Sequence, residues 1–287
     1  MTSSELQLNA VALGLALGLG LATAQGIAGD ASTNAEVRLP TLFLIGDSTV
    51  NNPTKGLMGW GTPLPQWFDT NRLRIVNRAI GGRSSRTFFT EGRWSNVLAE
   101  LQSGDFVIMQ FGHNDGGSLT QNRARGSLKG VDDRAEEVTL TNGTTEVVHT
   151  FGWYLRRYVT DTEAKGATPI ICSLVPRNDW KDGRVLRPTN SYASFAAEVA
   201  RQSGVGFIDL HEIIANKYEA EEQEKVTAIY FLNEHTHTTP AGAAFNAACV
   251  IEGLRALGNC ALNDFLLPAD RVRLDGHLPS GAATNAP

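Results

Sequence analysis

The chain has 287 residues, 42% of them hydrophobic and 19% charged, an ordinary globular composition long enough for one α/β domain with a substantial core. A formal net charge of −5, a pI near 5.7 and the lack of a dominant basic patch exclude nucleic acid as the principal partner. The acidic balance says nothing positive about a substrate.

The chain begins with an uncharged run of Ala, Leu, Gly and Val over 10–24, closing on Ala22-Thr23-Ala24. That length and small-residue ending predict a secretory signal peptide over 1–24, since the run is short for a spanning helix. The preceding segment carries Glu5 and no Lys or Arg, a departure from the usual basic start. Export to a secreted or periplasmic location follows, with no stable membrane association, and 25–36 reads as a polar linker. The main domain is then expected over 37–264, with a loose Pro- and Gly-rich tail over 265–287.

Leu39 to Ile45 is an apolar run that predicts a buried strand, and it empties into Gly46-Asp47-Ser48-Thr49-Val50. A Gly- and Pro-rich stretch with Trp60 and Trp67 follows, with a helix expected near Pro65, where proline suits a first turn. Arg74 to Asn77 reads as a short strand ending in Gly81-Gly82-Arg83-Ser84-Ser85, and Trp94 to Gln102 as a helix. Phe106 to Phe111 is the most strand-like run, and it ends in Gly112-His113-Asn114-Asp115.

Two β-rich segments flank Asn142-Gly143, which predicts a hairpin excursion over 137–150 with a type I′ turn. A helix from Tyr154 to Lys165 leads to a strand from Thr168 to Leu174. A helix from Tyr192 to Gln202, a short strand from Gly206 to Leu210 and a polar helix over 213–224 follow. The last helix runs from Ala241 to Leu257, started by Thr239 or Pro240. Strand and helix alternate five times, which favours a central, mainly five-stranded parallel sheet with helices on both faces. Of three cysteines, Cys172 falls in an apolar run, and Cys249 and Cys260 are a candidate bridge in an oxidising compartment.

Four strand-end loops carry chemistry: Ser48, Gly82, Asn114 and the group from Glu234 to His237. In a doubly wound sheet such loops converge on one edge. Acyl transfer needs a nucleophilic hydroxyl, a base and donors aimed at an oxyanion. Ser48 supplies the first and His237 the second, with an acidic neighbour to fix the imidazole tautomer. Gly82 offers an unobstructed backbone N–H, and Asn114 a side-chain amide.

Four blocks in this order, Gly46-Asp47-Ser48, Gly82, Gly112-His113-Asn114-Asp115 and the late histidine, resemble those of SGNH (GDSL-like) hydrolases. Within that superfamily the chain is most similar to rhamnogalacturonan acetylesterases, through Gly46 to Val50, Gly82 to Arg86, Gly92-Arg93-Trp94, Gly112 to Asp115 and His235-Thr236-His237-Thr238. The resemblance covers about Leu42 to Leu257 and implies a flavodoxin-like α/β/α sandwich. It also implies Ser48 as nucleophile, His237 as general base, and an oxyanion hole from the Ser48 N–H, the Gly82 N–H and the Asn114 side chain. The family has aspartate three residues before the catalytic histidine, where this chain has Glu234; Asp209 is the alternative orienting acid.

Other uses of these residues stay open. Ser48 is also ordinary turn chemistry. Gly82 also suits a positive φ, and Asn114 a cap. Asp47 and Asp115 read as local backbone caps. His235 with His237, joined by Glu234 or His113, has the spacing of a metal site, although a metal would leave the Ser/Gly/Asn blocks without purpose. His113 and His235 are candidate substrate contacts. Trp60, Phe88 and Trp94 offer either a sugar-stacking platform or core packing, and packing is preferred. The expected protein is a monomeric, exported serine esterase acting on acetylated polysaccharide without cofactor or metal. The alternatives are an esterase for another acetylated glycan or small ester, and an idle carbohydrate binder.

Overall fold

The computed structural model describes residues 38–268, apart from positions 122 and 233. The segments read as signal peptide and linker, and the chain beyond 268, lie outside the described residues. Among the described residues no helix is long and apolar enough to cross a membrane.

Five parallel strands form the central sheet: β1 (Thr41–Gly46), β2 (Arg74–Asn77), β3 (Phe106–Gln110), β6 (Thr168–Cys172) and β9 (Gly206–Ile208), in the order β2-β1-β3-β6-β9. β1 and β3 are buried at every position. Their apolar runs are continuous because both sheet faces are covered. The strand period of two still divides them: Leu42 and Leu44 join one core cluster, Phe43 and Ile45 the other.

The first cluster packs under α5 (Leu210–Glu221), α6 (Gln223–Tyr230) and α7 (Pro240–Ala256). The second packs under α2 (Arg93–Glu100), α3 (Phe151–Ala164) and α4 (Tyr192–Ser203). This is the flavodoxin-like three-layer sandwich. Its strand order reverses direction at β1 and β3, so the loops after those strands open at the sheet's ligand-binding edge.

Helix starts follow their capping chemistry. Thr239 accepts from the Gly242 N–H at 3.1 Å with Pro240 in the first turn, and Ser191 and Ser194 cap α4 reciprocally. One helix is absent from the sequence reading. α1 (Ser85–Thr90) is capped by Ser84 and Thr87 in a reciprocal box whose usual Glu or Gln is replaced by threonine. Around Pro65 the chain makes a single 3₁₀ turn, Leu64–Trp67, rather than an α-helix. The polar helix over 213–224 is two helices, α5 and α6, broken at Glu222, whose φ is +71°.

The hairpin pairs β4 (Ala135–Thr139) with β5 (Thr145–His149). Its turn differs from type I′: only Gly143 has positive φ, and the Leu140 N–H donates to the Thr144 carbonyl. The Asn142 carboxamide oxygen accepts from the Thr144 N–H and hydroxyl, which favours this three-residue turn. A second small hairpin pairs β7 (Trp180–Lys181) with β8 (Arg184–Val185). Past Asp264, Leu266 bridges Phe68, and the Leu267 N–H donates to the Trp67 carbonyl. Cys249 and Cys260 are not bonded; all three cysteines are free thiols.

Gly46 closes β1 at φ +158°, and a β-carbon there would lie 2.5 Å from the Gln110 carbonyl oxygen and 2.6 Å from Val50 Cγ2. Backbone on one side and a packed side chain on the other leave no room. Gly46→Ala is therefore expected to destabilise the protein by about 3 kcal/mol, read as a lowered thermal midpoint.

Candidate active site

The loops after β1 and β3 and the segment before α7 meet at the carboxyl edge of the sheet. Ser48 leaves β1 through a turn in which the Val50 and Asn51 N–H groups donate to the Asp47 carbonyl. Its hydroxyl lies 2.7 Å from His237 Nε2, and His237 Nδ1 lies 2.7 Å from Glu234 Oε1. The Glu234 carboxylate also accepts the Thr236 N–H at 2.8 Å and the His237 N–H. A carboxylate held by two backbone donors is fixed in place, and its bond to Nδ1–H leaves Nε2 free to accept from Ser48. Asp209, the alternative acid, is engaged elsewhere: it accepts from the Ser173 hydroxyl at 2.9 Å and caps α5.

Gly81 passes close to Ser48: a β-carbon on it would sit 3.5 Å from Ser48 Cβ. Gly82 turns the chain at φ +78°. Among the described residues neither the Ser48 nor the Gly82 N–H has a hydrogen-bond acceptor. Asn114 Nδ2 donates one hydrogen to the Arg83 carbonyl at 2.9 Å, which ties the β3 loop to the glycine loop and leaves its second amide hydrogen available. Uncommitted donors beside a serine–histidine pair are the parts an oxyanion needs.

Two buried aspartates brace these loops. Asp47 accepts from the Thr49 N–H at 2.9 Å and hydroxyl at 2.7 Å, and burial pushes its carboxyl up to about 6. Asp115 is more than a local cap. It reaches across to the Ser85 N–H at 3.1 Å and hydroxyl at 2.5 Å, and to the Ser127 hydroxyl at 3.0 Å. Burial raises its pKa to about 7 against those bonds. Asp115 thereby pins the start of α1 and the loop after β3 to one point.

The histidines divide clearly. His235 donates from Nδ1 to Asp179 at 2.7 Å, and its Nε2 lies 3.2 Å from Arg177 Nη1. It belongs to a clamp in which Arg177 also bonds the Thr236 hydroxyl at 2.5 Å, holding the backbone next to His237. His113 is half-buried with both ring nitrogens shielded and unpartnered. Burial, aided by the Arg177 charge, lowers its pKa to about 3 and keeps it neutral. It lines a cleft of about 270 Å³ with Arg177, Tyr192 and His211. A more open groove of about 650 Å³ runs past Asn178, Phe231, Glu234 and His235. Among the described residues no group of three His, Cys, Asp or Glu side chains is placed to hold a metal ion.

The stacking platform is not formed. Trp60, Phe88 and Trp94 are at most 1% exposed, and the two indole N–H groups donate to Gln110 at 2.7 Å and Asp161 at 3.0 Å. These rings are core. Residues the sequence left without a role include Arg177 and Asp179; the one available signal was their position just past β6.

The chain matches the GDSL-like lipase/acylhydrolase family over residues 44–245. It is 36% identical over 230 residues to a rhamnogalacturonan acetylesterase of Emericella nidulans, covering 80% of this chain and 90% of the relative. A probable rhamnogalacturonan acetylesterase of Bacillus subtilis is 30% identical, with 76% and 93% covered. In fold it is similar to a Bacillus subtilis crystal structure at TM-score 0.64 and 22% identity, covering 78% of this chain and 58% of that one. It is also similar to an acetyl-xylooligosaccharide esterase of Geobacillus at TM-score 0.51 and 17% identity, covering 77% and 95%.

Proposed function

Since the chain belongs to the GDSL-like lipase/acylhydrolase family, whose members hydrolyse carboxylic esters, we propose that it is an exported serine esterase that removes O-acetyl groups from rhamnogalacturonan. The observation that carries the mechanism is the unbroken Ser48–His237–Glu234 chain, with both links at 2.7 Å. The named relatives support the substrate. The apolar segment at 10–24 supports export.

His237 Nε2 takes the Ser48 proton as Oγ attacks the acetyl carbonyl carbon, and Glu234 stabilises the imidazolium that forms. The tetrahedral oxyanion is held by the Ser48 N–H, the Gly82 N–H and the Asn114 amide. His237 then gives its proton to the leaving sugar oxygen, and an acetyl ester remains on Ser48. Water, deprotonated by the same imidazole, releases acetate and restores the hydroxyl.

Acetate release measured side by side on acetylated rhamnogalacturonan, acetylated xylan and p-nitrophenyl acetate tests the reading. Rhamnogalacturonan is expected to be the best polymer by about tenfold or more in kcat/KM. Faster release from xylan would reassign the substrate, and release from neither polymer would remove polysaccharide deacetylation.

A further inference from the structure

Two arginines that no step above uses stand against the glycine loop. A β-carbon on Gly82 would lie 3.1 Å from Arg123 Nη1 and 3.7 Å from Arg125 Nη1. Arg125 Nη1 also lies 3.5 Å from the Gly82 carbonyl oxygen, too long for a strong bond. Both guanidiniums therefore converge on the residue whose N–H is offered to the oxyanion.

Neither has a carboxylate partner among the described residues. Arg83, Arg86 and Arg187 are among the described arginines that do pair with a carboxylate; of the two here, Arg123 is exposed and Arg125 half-buried. The carboxyls whose charge Arg125 feels, Asp47 and Asp115, are fully buried and committed to Thr49, Ser85 and Ser127. Arg177 adds to the positive field without neutralising it. Like charges brought together without a counterion destabilise a folded chain, and partial burial together with Arg123 lowers the pKa of Arg125.

The loop is tied down on either side of these arginines. The fully buried Arg86 donates to the Leu119 carbonyl at 3.0 Å and the Gly126 carbonyl at 2.9 Å, while its other nitrogens pair with Glu146. The Gly126 N–H returns to the Ser118 carbonyl at 2.9 Å, and the Ser127 N–H to the Asp115 carbonyl at 3.0 Å. Between these ties the chain turns through Ala124 at φ +43°, a conformation that costs a non-glycine residue energy. A braced, strained loop that presents two uncompensated cations beside the acyl site is preorganised for an anion.

Resting on the deacetylase reading, we propose that Arg123 and Arg125 form a carboxylate-binding subsite for a uronate of the substrate, carried by the sugar that bears the acetyl group. Guanidiniums bind carboxylates through paired N–H donors and keep their charge at any working pH. The subsite would orient a polyanionic chain so that the acetyl carbonyl meets Ser48. It would also explain how an acidic protein engages an acidic polymer.

The test compares methyl 3-O-acetyl-α-galacturonoside with methyl 3-O-acetyl-α-galactoside, which differ only in the C6 carboxylate, alongside acetylated rhamnogalacturonan. For the wild type, kcat/KM is expected to favour the uronate by about tenfold, the worth of one or two charge-assisted hydrogen bonds. That ratio is expected to fall to about one in Arg123→Gln/Arg125→Gln and to decline with added NaCl. Because the ratio is internal to each variant, a general loss of activity does not alter it. A wild-type ratio near one with the polymer still deacetylated would overturn the subsite and leave the deacetylase reading intact. An unchanged ratio in the double variant would overturn the assignment to these arginines. No acetate from the polymer or either glycoside, with p-nitrophenyl acetate still cleaved, would remove the substrate reading and the subsite with it.

Discussion

Ser48→Ala is expected to lower kcat on p-nitrophenyl acetate by about 10⁴-fold or more with the fold unchanged. Ser48 provides the hydroxyl within hydrogen-bonding distance of His237 Nε2, so no other group in the described structure takes over the attack from that position. The side chain is half-buried and small, and its loss opens no cavity that would unfold the loop. The backbone N–H of residue 48 survives the substitution, so oxyanion binding and substrate affinity are retained. His237→Ala is expected to cost a similar factor, and the double variant little more than either alone, because the two act as one unit. Initial rates with a thermal unfolding midpoint check this. A folded Ser48→Ala protein within tenfold of wild type would exclude Ser48 as the nucleophile.

The placement of this serine was legible from sequence because it depends on local rules. A buried strand reads as a continuous apolar run, and the residue after it lands at the sheet edge. The same rule located Gly82 and Asn114. The five sheet strands were therefore visible, and so were most of the helices that cover them. What escaped depends on contacts far apart in sequence. Asp115 looked like a local cap because its partners, Ser85 and Ser127, lie 30 and 12 residues away. Arg177 and Asp179 look like loop polarity until the fold brings them to His235 and Thr236.

Local chemistry also misled in places. Asn142-Gly143 favours a type I′ turn, yet the Asn142 carboxamide found Thr144 and a different turn formed. Nothing in the sequence around Glu222 announces the break between α5 and α6, because glutamate is a good helix former and seldom adopts the positive φ it has here. The preference for core packing at Trp60 and Trp94, by contrast, is borne out, and their indole N–H groups reach Gln110 and Asp161.

The second large effect concerns Glu234, where the family pattern has aspartate. Glu234→Gln is expected to reduce kcat by about 10³-fold with a small change in KM. The carboxylate accepts three N–H groups, from His237 Nδ1 and from the backbones of Thr236 and His237. A carboxamide presents one oxygen and one NH₂, so it cannot satisfy all three, and the NH₂ facing Nδ1 would select the wrong imidazole tautomer. It also removes the negative charge that stabilises the imidazolium in the transition state. Glu234→Asp keeps that charge while shortening the reach by one methylene. The backbone donors of Thr236 and His237 can still draw the shorter carboxylate into the turn, since an aspartate caps N–H groups two and three residues on. Glu234→Asp is therefore expected to retain at least tenfold more kcat than Glu234→Gln, by about the worth of one charge-assisted hydrogen bond. Steady-state kinetics on p-nitrophenyl acetate decide it. Equal rates in the two variants would mean that geometry rather than charge at position 234 limits the reaction, and a wild-type rate in Glu234→Gln would remove Glu234 as the acid that orients His237.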